Sequence, residues 1–332
     1  MTYRQDIAWP LDLAQEDEHF HSAINDKGEC RGMLMSGRNL GITASCMRPG
    51  MLRELSVGRH GLTRLFVDSG AFGEVDRKDV FKVVKLITHD EWKRRFKLYR
   101  WASATYRRRA YVVAPDRVAN QAVTLERMAR YAFDVSVCAS FGANVIVPVH
   151  RGDVPMGEFF KLAVATLGIR DGQAIAGIPM MKAATSIPAL REFAATLPWF
   201  GARIHLLGIG PKAKGGRFVQ AIRAIKSVRP NCLITSDSAL VIGIVGSENG
   251  PKVNGKPGPR IYTKLQQEAR AMGLKGSAAK EYGLKLQGWQ ENAAALTRAH
   301  AQGWRDVELD DRELELKLES SDATVTTYRI LT

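Results

Sequence analysis

Three aspartates and one histidine stand where short β-rich runs end. Leu65–Val67 runs into Asp68-Ser69-Gly70-Ala71-Phe72, Ala110–Val113 into Ala114-Pro115-Asp116, and Asn144–Val149 into His150-Arg151-Gly152-Asp153. Ala174–Ala176 leads to Gly177-Ile178-Pro179, Arg203–Leu207 to Gly208-Ile209-Gly210, and Cys232–Thr235 to Ser236-Asp237-Ser238. A single Asp after a strand is ordinarily an N-cap for the next helix. Three of them, with an imidazole and glycine turns that admit close backbone approach, suit a reaction site instead. Two carboxylates at one site suit substitution at the anomeric carbon of a sugar. One attacks to form a glycosyl ester while the other moves a proton, and the retaining form wants them about 5 Å apart. Carboxylates that close cannot share one pKa. A nucleoside substrate also needs an aromatic wall, which Phe72 could supply. Its base edge needs polar partners, and Asp116 could accept from the N1–H and 2-amino donors of a guanine-like edge.

Elements that would position these residues alternate along the chain. Apolar helical spacing fits residues 121–140 (Leu125, Met128, Ala129, Ala132) and 157–167 (Phe160, Ala163, Leu167). Ser186 reads as the N-cap of a helix through Leu190, Phe193 and Leu197, and a helix through Phe218, Ile222 and Ile225 stops before Pro230. Asn39–Cys46 reads as a first strand and Val241–Val245 as the start of a last one. This strand–helix alternation predicts a parallel sheet. Seven or eight units suit an α/β, (β/α)8 TIM-type barrel whose functional residues line the strand ends, with a doubly wound open sheet as the alternative. The expected organisation is an N-terminal extension (1–38), a barrel core (39–245) and a basic C-terminal appendage of loop, helices and a final β-pair (246–332).

The chain of 332 residues carries 48 Lys+Arg against 34 Asp+Glu, a net charge of +14. That excess favours a polyanionic partner. With 45% hydrophobic and 25% charged residues, the chain is globular rather than disordered or fibrous. No apolar run is long enough for a transmembrane helix, no secretory signal is read at the start, and the four scattered cysteines suggest a reducing, cytoplasmic setting. Residues 93–109, KRRFKLYRWASATYRRR, hold eight Lys or Arg and no acid. With Trp92, Phe96 and Tyr99 at helical spacing, they predict an amphipathic helix whose basic face meets solvent or phosphate. Arg94, Arg95, Lys97, Arg107 and Arg108 are therefore candidate nucleic-acid contacts. So are Lys212 and Lys214, in a glycine-containing loop ahead of a helix N-terminus that lacks P-loop spacing. No metal site is expected: His19, His21 and Cys30 lack a fourth nearby ligand.

Asp68-Ser69-Gly70-Ala71-Phe72 resembles the D-S-G-G-F/Y motif of tRNA-guanine transglycosylases, and His205-Leu206-Leu207-Gly208-Ile209-Gly210 resembles their Y/H-L-M-G-V-G turn. Ser236-Asp237-Ser238-Ala239 falls where that family has its nucleophilic aspartate, and is closer to the related phage proteins that put 7-deazaguanines into DNA (the DpdA type). The resemblance spans roughly residues 60–245. It implies that Asp237 attacks C1′, that Asp68 is the general acid/base, and that Asp116 holds the base edge. It further implies that His150 reads the base in place of a glutamine and that Gly177 contacts it through backbone N–H. Phe72 and Leu207 would sandwich the ring, Ser69 would steady Asp68, and Gly208 would join the binding residues. The family's cysteine-rich zinc module has no counterpart here, since no Cys follows Cys232. The implied function is exchange of guanine in DNA for a free 7-deazaguanine such as 7-cyano-7-deazaguanine, with no other cofactor, in the cytoplasm of a cell or of a viral host. A tRNA-directed enzyme and a non-catalytic nucleic-acid-binding barrel are the alternatives.

Overall fold

Eight short strands run parallel and close on themselves. They are β1 (His19–His21), β2 (Leu40–Thr43), β3 (Leu65–Asp68), β4 (Ala110–Val113), β5 (Asn144–Pro148), β6 (Ala174–Pro179), β7 (Arg203–Leu207) and β8 (Leu233–Ser238). Each pairs with its sequence neighbours, and β1 also pairs with β8 through His19↔Ser236, Phe20↔Asp237 and His21↔Ser238. That last pairing excludes an open sheet: this is a TIM-type barrel. The computed structural model describes residues 19–24, 27, 30, 33–34, 39–58, 63–76, 79–181, 184–210, 216–238 and 273. Among these residues no helix is long and apolar enough to cross a membrane.

Two boundaries differ from the sequence expectation. The first strand lies inside the stretch 1–38 expected to precede the barrel, so the Asn39–Cys46 stretch supplies the second strand. The eighth strand is Leu233–Ser238, which carries the Ser-Asp-Ser motif within it rather than after it. Val241–Val245, Lys212 and Lys214 lie outside the described residues, as does the C-terminal appendage except Gly273.

Helices connect the strands on the outside: α1 (Pro49–Gly58), α2 (His89–Tyr106), α3 (Gln121–Arg130), α4 (Ala132–Ser140), α5 (Met156–Leu167), α6 (Ile187–Thr196) and α7 (Arg217–Lys226). The single helical pattern over 121–140 is thus two helices that meet at Tyr131. Helix α2 starts with a capping box, in which the Thr88 side chain accepts from Glu91 N and the Glu91 carboxylate accepts from Thr88 N. The Ser186 hydroxyl caps α6 by accepting from Ala189 N at 3.3 Å.

Period-two alternation along each strand sorts side chains between two cores. Outward residues such as Leu65, Val67, Val112, Val145 and Val147 meet buried helix residues including Trp92, Phe96 and Tyr99. Inward residues Phe20, Phe66, Tyr111, Val113, Ile146 and Ile175 fill the barrel with apolar side chains. His205 joins that layer, stacked on Phe66 with ring centroids 5.0 Å apart. Two residues further along their strands, the next inward positions are Asp68, Pro148, Leu207 and Asp237. Those positions form the floor of the site.

Candidate active site

At the C-terminal ends of the strands lies a cavity of about 370 Å³. Asp68, Asp116 and Asp237 all line it, with Ser69, Phe72, Leu207 and Gly208. Seven of the residues picked out in the sequence therefore meet at one place. Phe66, Val113, Val118, Pro148, Pro179 and Met181 supply apolar wall and floor. Phe72 stands at the mouth, 37% exposed.

Asp68 ends β3 and turns into Gly70, which has φ 73°. A side chain there would be strained by that φ, and its Cβ would sit 2.9 Å from Thr43 Cγ2 and 3.3 Å from Arg95 Nη1. The Gly70 backbone bonds to the Asp68 carboxylate. Burial, reinforced by the Asp237 and Asp116 carboxylates, pushes the Asp68 carboxyl up to about 7; the Gly70 bond and the Arg95 charge oppose that rise. Arg95 is buried on the inner face of α2, and its guanidinium donates to the Ser69 carbonyl.

Asp237 has the opposite surroundings. Ser22 Oγ donates to its Oδ2 at 3.0 Å, and Gly208 N donates to its Oδ1 at 2.8 Å. His205 Nε2 lies 3.2 Å from the same Oδ1, while His205 Nδ1 meets Thr235 Oγ1 at 2.8 Å. Gly208, at φ 72°, thus spends its N–H on Asp237, although it was expected to bind substrate. Behind the carboxylate, His19 is held by Ser236 Oγ at 2.8 Å and Ser238 Oγ at 3.1 Å. Burial drives its pKa down to about 4, against the pull of Asp237, so it is neutral.

Asp116 takes a hydrogen bond on one oxygen and has an imidazole against the other, close but not aligned for a hydrogen bond. Ser69 Oγ donates to Oδ1 at 3.3 Å and His150 Nε2 lies 3.2 Å from Oδ2. His150 is buried and lies behind Asp116 rather than in the cavity lining, so it supports the base-edge candidate where it was expected to read the base itself. Ser69 correspondingly bonds to Asp116 where it was expected to steady Asp68. The loop after β3 is clamped across to α3: Arg127 donates to both Glu74 oxygens, at 2.6 and 2.9 Å, and also to the Asp116 carbonyl.

Gly177 lies inside β6, paired with both Pro148 and His205, its carbonyl accepting from Val149 N at 2.8 Å. A Cβ at this inward position would sit 2.6 Å from Ile146 Cγ2 and 3.2 Å from Leu207 Cδ1. The glycine makes room beneath the cavity floor and is not among the residues that line the cavity.

The basic candidates separate. Arg94 is exposed in the first half of α2 and Lys97 is half-buried. Arg95 faces inward and is removed from the nucleic-acid set. Arg107 and Arg108 lie just before β4, and the Arg108 carbonyl accepts from Asn144 Nδ2 at 2.8 Å where β5 begins. They therefore sit at the N-terminal ends of the strands. About 20 Å of helix separates them from Arg94, too far along to serve the same bound segment beside the cavity. Among the described residues no group of three or more His, Cys, Asp or Glu could hold a metal ion.

His205 and Ser22 were missed as site residues, and Arg95 was expected on the nucleic-acid face rather than behind the cavity. Arg95 shares the i, i+3, i+7 face of Trp92 and Tyr99, and His205 stands two residues before Leu207 on the inward face of β7. Both signals were available in the spacing.

No protein-family model and no curated protein matches this chain. Solved structures do resemble it. An N-acetylneuraminate lyase from Mycoplasma synoviae is 8% identical, with a TM-score of 0.41 over 92% of this chain and 96% of that one. A fructose-bisphosphate aldolase from Campylobacter jejuni is 10% identical, with a TM-score of 0.39 over 92% and 88%. A GH138 enzyme targeting pectin rhamnogalacturonan II is 9% identical, with a TM-score of 0.36 over 79% of this chain and 34% of that one. Likeness at this level carries no conclusion about chemistry.

Proposed function

We propose that the protein is an enzyme, a DNA-guanine transglycosylase that exchanges guanine for a free 7-deazaguanine through a glycosyl-aspartate. The observation that carries this reading is that Asp68, Asp116 and Asp237 line one cavity with Phe72 and Leu207. Asp237 attacks C1′, forming a C1′–O bond as the C1′–N9 bond breaks, and the electron pair leaves with the purine. Asp68, held near pH 7 between its two forms, gives its proton to N9. An incoming 7-deazaguanine then returns its N9 proton to Asp68 and attacks C1′ from the face the guanine left, restoring Asp237. Two displacements retain configuration. Asp116, braced by His150 and Ser69, accepts from the donor edge of either base. The base lies between Phe72 and Leu207, unstacked from its neighbours. The net charge of +14 supplies salt-sensitive affinity for a polyanion.

The test uses full-length protein with duplex DNA, or with tRNA, carrying radiolabelled guanine, and unlabelled 7-cyano-7-deazaguanine in excess. Release of label from DNA supports the proposal. Release from tRNA alone assigns the enzyme to RNA, and binding without release from either overturns it.

A further inference from the structure

The loop between β3 and α2 folds into a small arch. Val75 and Val83 form an antiparallel bridge, Asp76 N donates to the Lys82 carbonyl at 2.9 Å, and Val84 N donates to the Glu74 carbonyl at 2.8 Å. Its underside is anchored. Val80 is buried and packs with Val75 and Val118, with Met181 against them. Val118 and Met181 also line the cavity, so the arch borders the mouth. Glu74, at its base, is held by Arg127.

The outer side is unusual for a soluble surface. Phe81 is 74% exposed, and Val83, Val84 and Leu86 are 45%, 57% and 56% exposed. These four fall within six residues of chain, with exposed Lys82 and Lys85 between them, and exposed Phe72 stands at the cavity mouth that the arch borders. Exposed apolar side chains gathered in one short segment mark a contact site. The neighbouring acids are already engaged: Asp79 Oδ1 accepts from Phe81 N at 3.1 Å, and Glu91 caps α2. Lys85 is shared with Glu91 at 3.2 Å, which leaves Lys82 as the stronger phosphate donor. The other exposed aromatic pair, Trp199 and Phe200, precedes β7 and so lies at the far end of the barrel. The arch, by contrast, adjoins the cavity through Val118 and Met181.

We propose that this arch, residues 79–86, grips the DNA strand beside the extracted nucleotide. Phe81 stacks on the adjoining base, Val83, Val84 and Leu86 cover its sugar edge, and Lys82 meets the flanking phosphate. Aromatic surface interleaved with basic side chains matches the two faces of an unstacked strand, apolar base and anionic backbone. The inference rests on the proposed function for the nucleotide that enters the cavity, but its test reads DNA binding independently of chemistry.

The experiment measures anisotropy of a fluorescent guanine-containing DNA duplex with full-length parent, Phe81→Ala and Lys82→Ala across a salt series. Phe81→Ala is expected to weaken binding roughly tenfold without changing the salt dependence. Lys82→Ala is expected to lower the log–log salt slope by about one. Neither should change the affinity for free guanine or the melting temperature. Unchanged DNA affinity in both variants overturns the proposal. So does a fall in melting temperature or a change in sedimentation with Phe81→Ala, which would assign these side chains to another segment of this chain or to a second copy. If the base exchange itself is wrong, label is never released while the arch variants still lose DNA affinity. If only the arch assignment is wrong, label is released and both variants bind DNA as the parent does.

Discussion

The two sides of the cavity hold their acids in opposite ways. On the β7–β8 side, Asp237 is surrounded by donors: a serine hydroxyl, a backbone N–H and an imidazole within hydrogen-bonding distance. On the β3–β4 side, Asp68 takes a backbone bond from Gly70, feels Arg95 at a remove, and faces two other carboxylates. Donors favour the charged form, whereas burial beside like charge favours the neutral one. One fold therefore surrounds a carboxylate with hydrogen-bond donors on one side and raises the pKa of a buried carboxyl on the other, a contrast that suits the proposed two-carboxylate chemistry.

That contrast can be broken from either side, and the largest effect is expected at Asp237. Asp237→Asn keeps the size and removes the anion. Release of labelled guanine should fall by about 10³-fold or more while DNA affinity stays close to the parent. Loss of DNA binding in a folded variant would instead give Asp237 a binding role.

Asp68→Asn should cost roughly 10²- to 10⁴-fold in release. Its pH behaviour sharpens the comparison further. Release by the parent should decline as pH rises through about 7, where the Asp68 proton is lost, and the Asn variant should lack that limb. Stability carries the opposite sign. Because the folded-state value lies above the ordinary 3.8, the parent binds the proton more tightly when folded and loses stability between about pH 4 and 7. Asp68→Asn should therefore be more stable than the parent at pH 8, by at most about 4 kcal/mol and with a higher melting temperature, the gap closing toward pH 4. Equal melting at both pH values would remove the idea of a strained carboxyl.

The smallest effect is expected at His205. His205→Phe keeps the stack on Phe66 and removes the imidazole beside Asp237. Release should drop about ten- to hundredfold. A His205→Gln variant, whose amide N–H can replace Nε2, should recover part of it. If both variants match the parent, the imidazole only fills the barrel.

The barrel was legible because its repeating unit is long and regular, and the aspartates because their strands end where apolar residues stop. Phe72 and Leu207 followed from the same motifs. The limits were equally physical. His19–His21 is three residues long, with two polar residues facing outward, so it offers no apolar run to detect. Missing β1 meant missing Ser22, the residue after it. Arg95 was hidden by its charge, since a basic helix suggests solvent on every arginine, yet the i, i+3 spacing from Trp92 turns this one inward. His150 was placed at the correct strand end. What spacing could not say was whether it faced the cavity or the back of Asp116.

The seam between β1 and β8 links Ser22 to Asp237 across 215 residues. Long-range pairings of that kind form late, because the intervening chain must first be ordered. A growing or refolding chain would hold Asp237 incompletely braced until the cylinder shuts, so a complete site and closure should arrive together. Partly made copies would then lack the full brace on the acid that the proposed base exchange relies on.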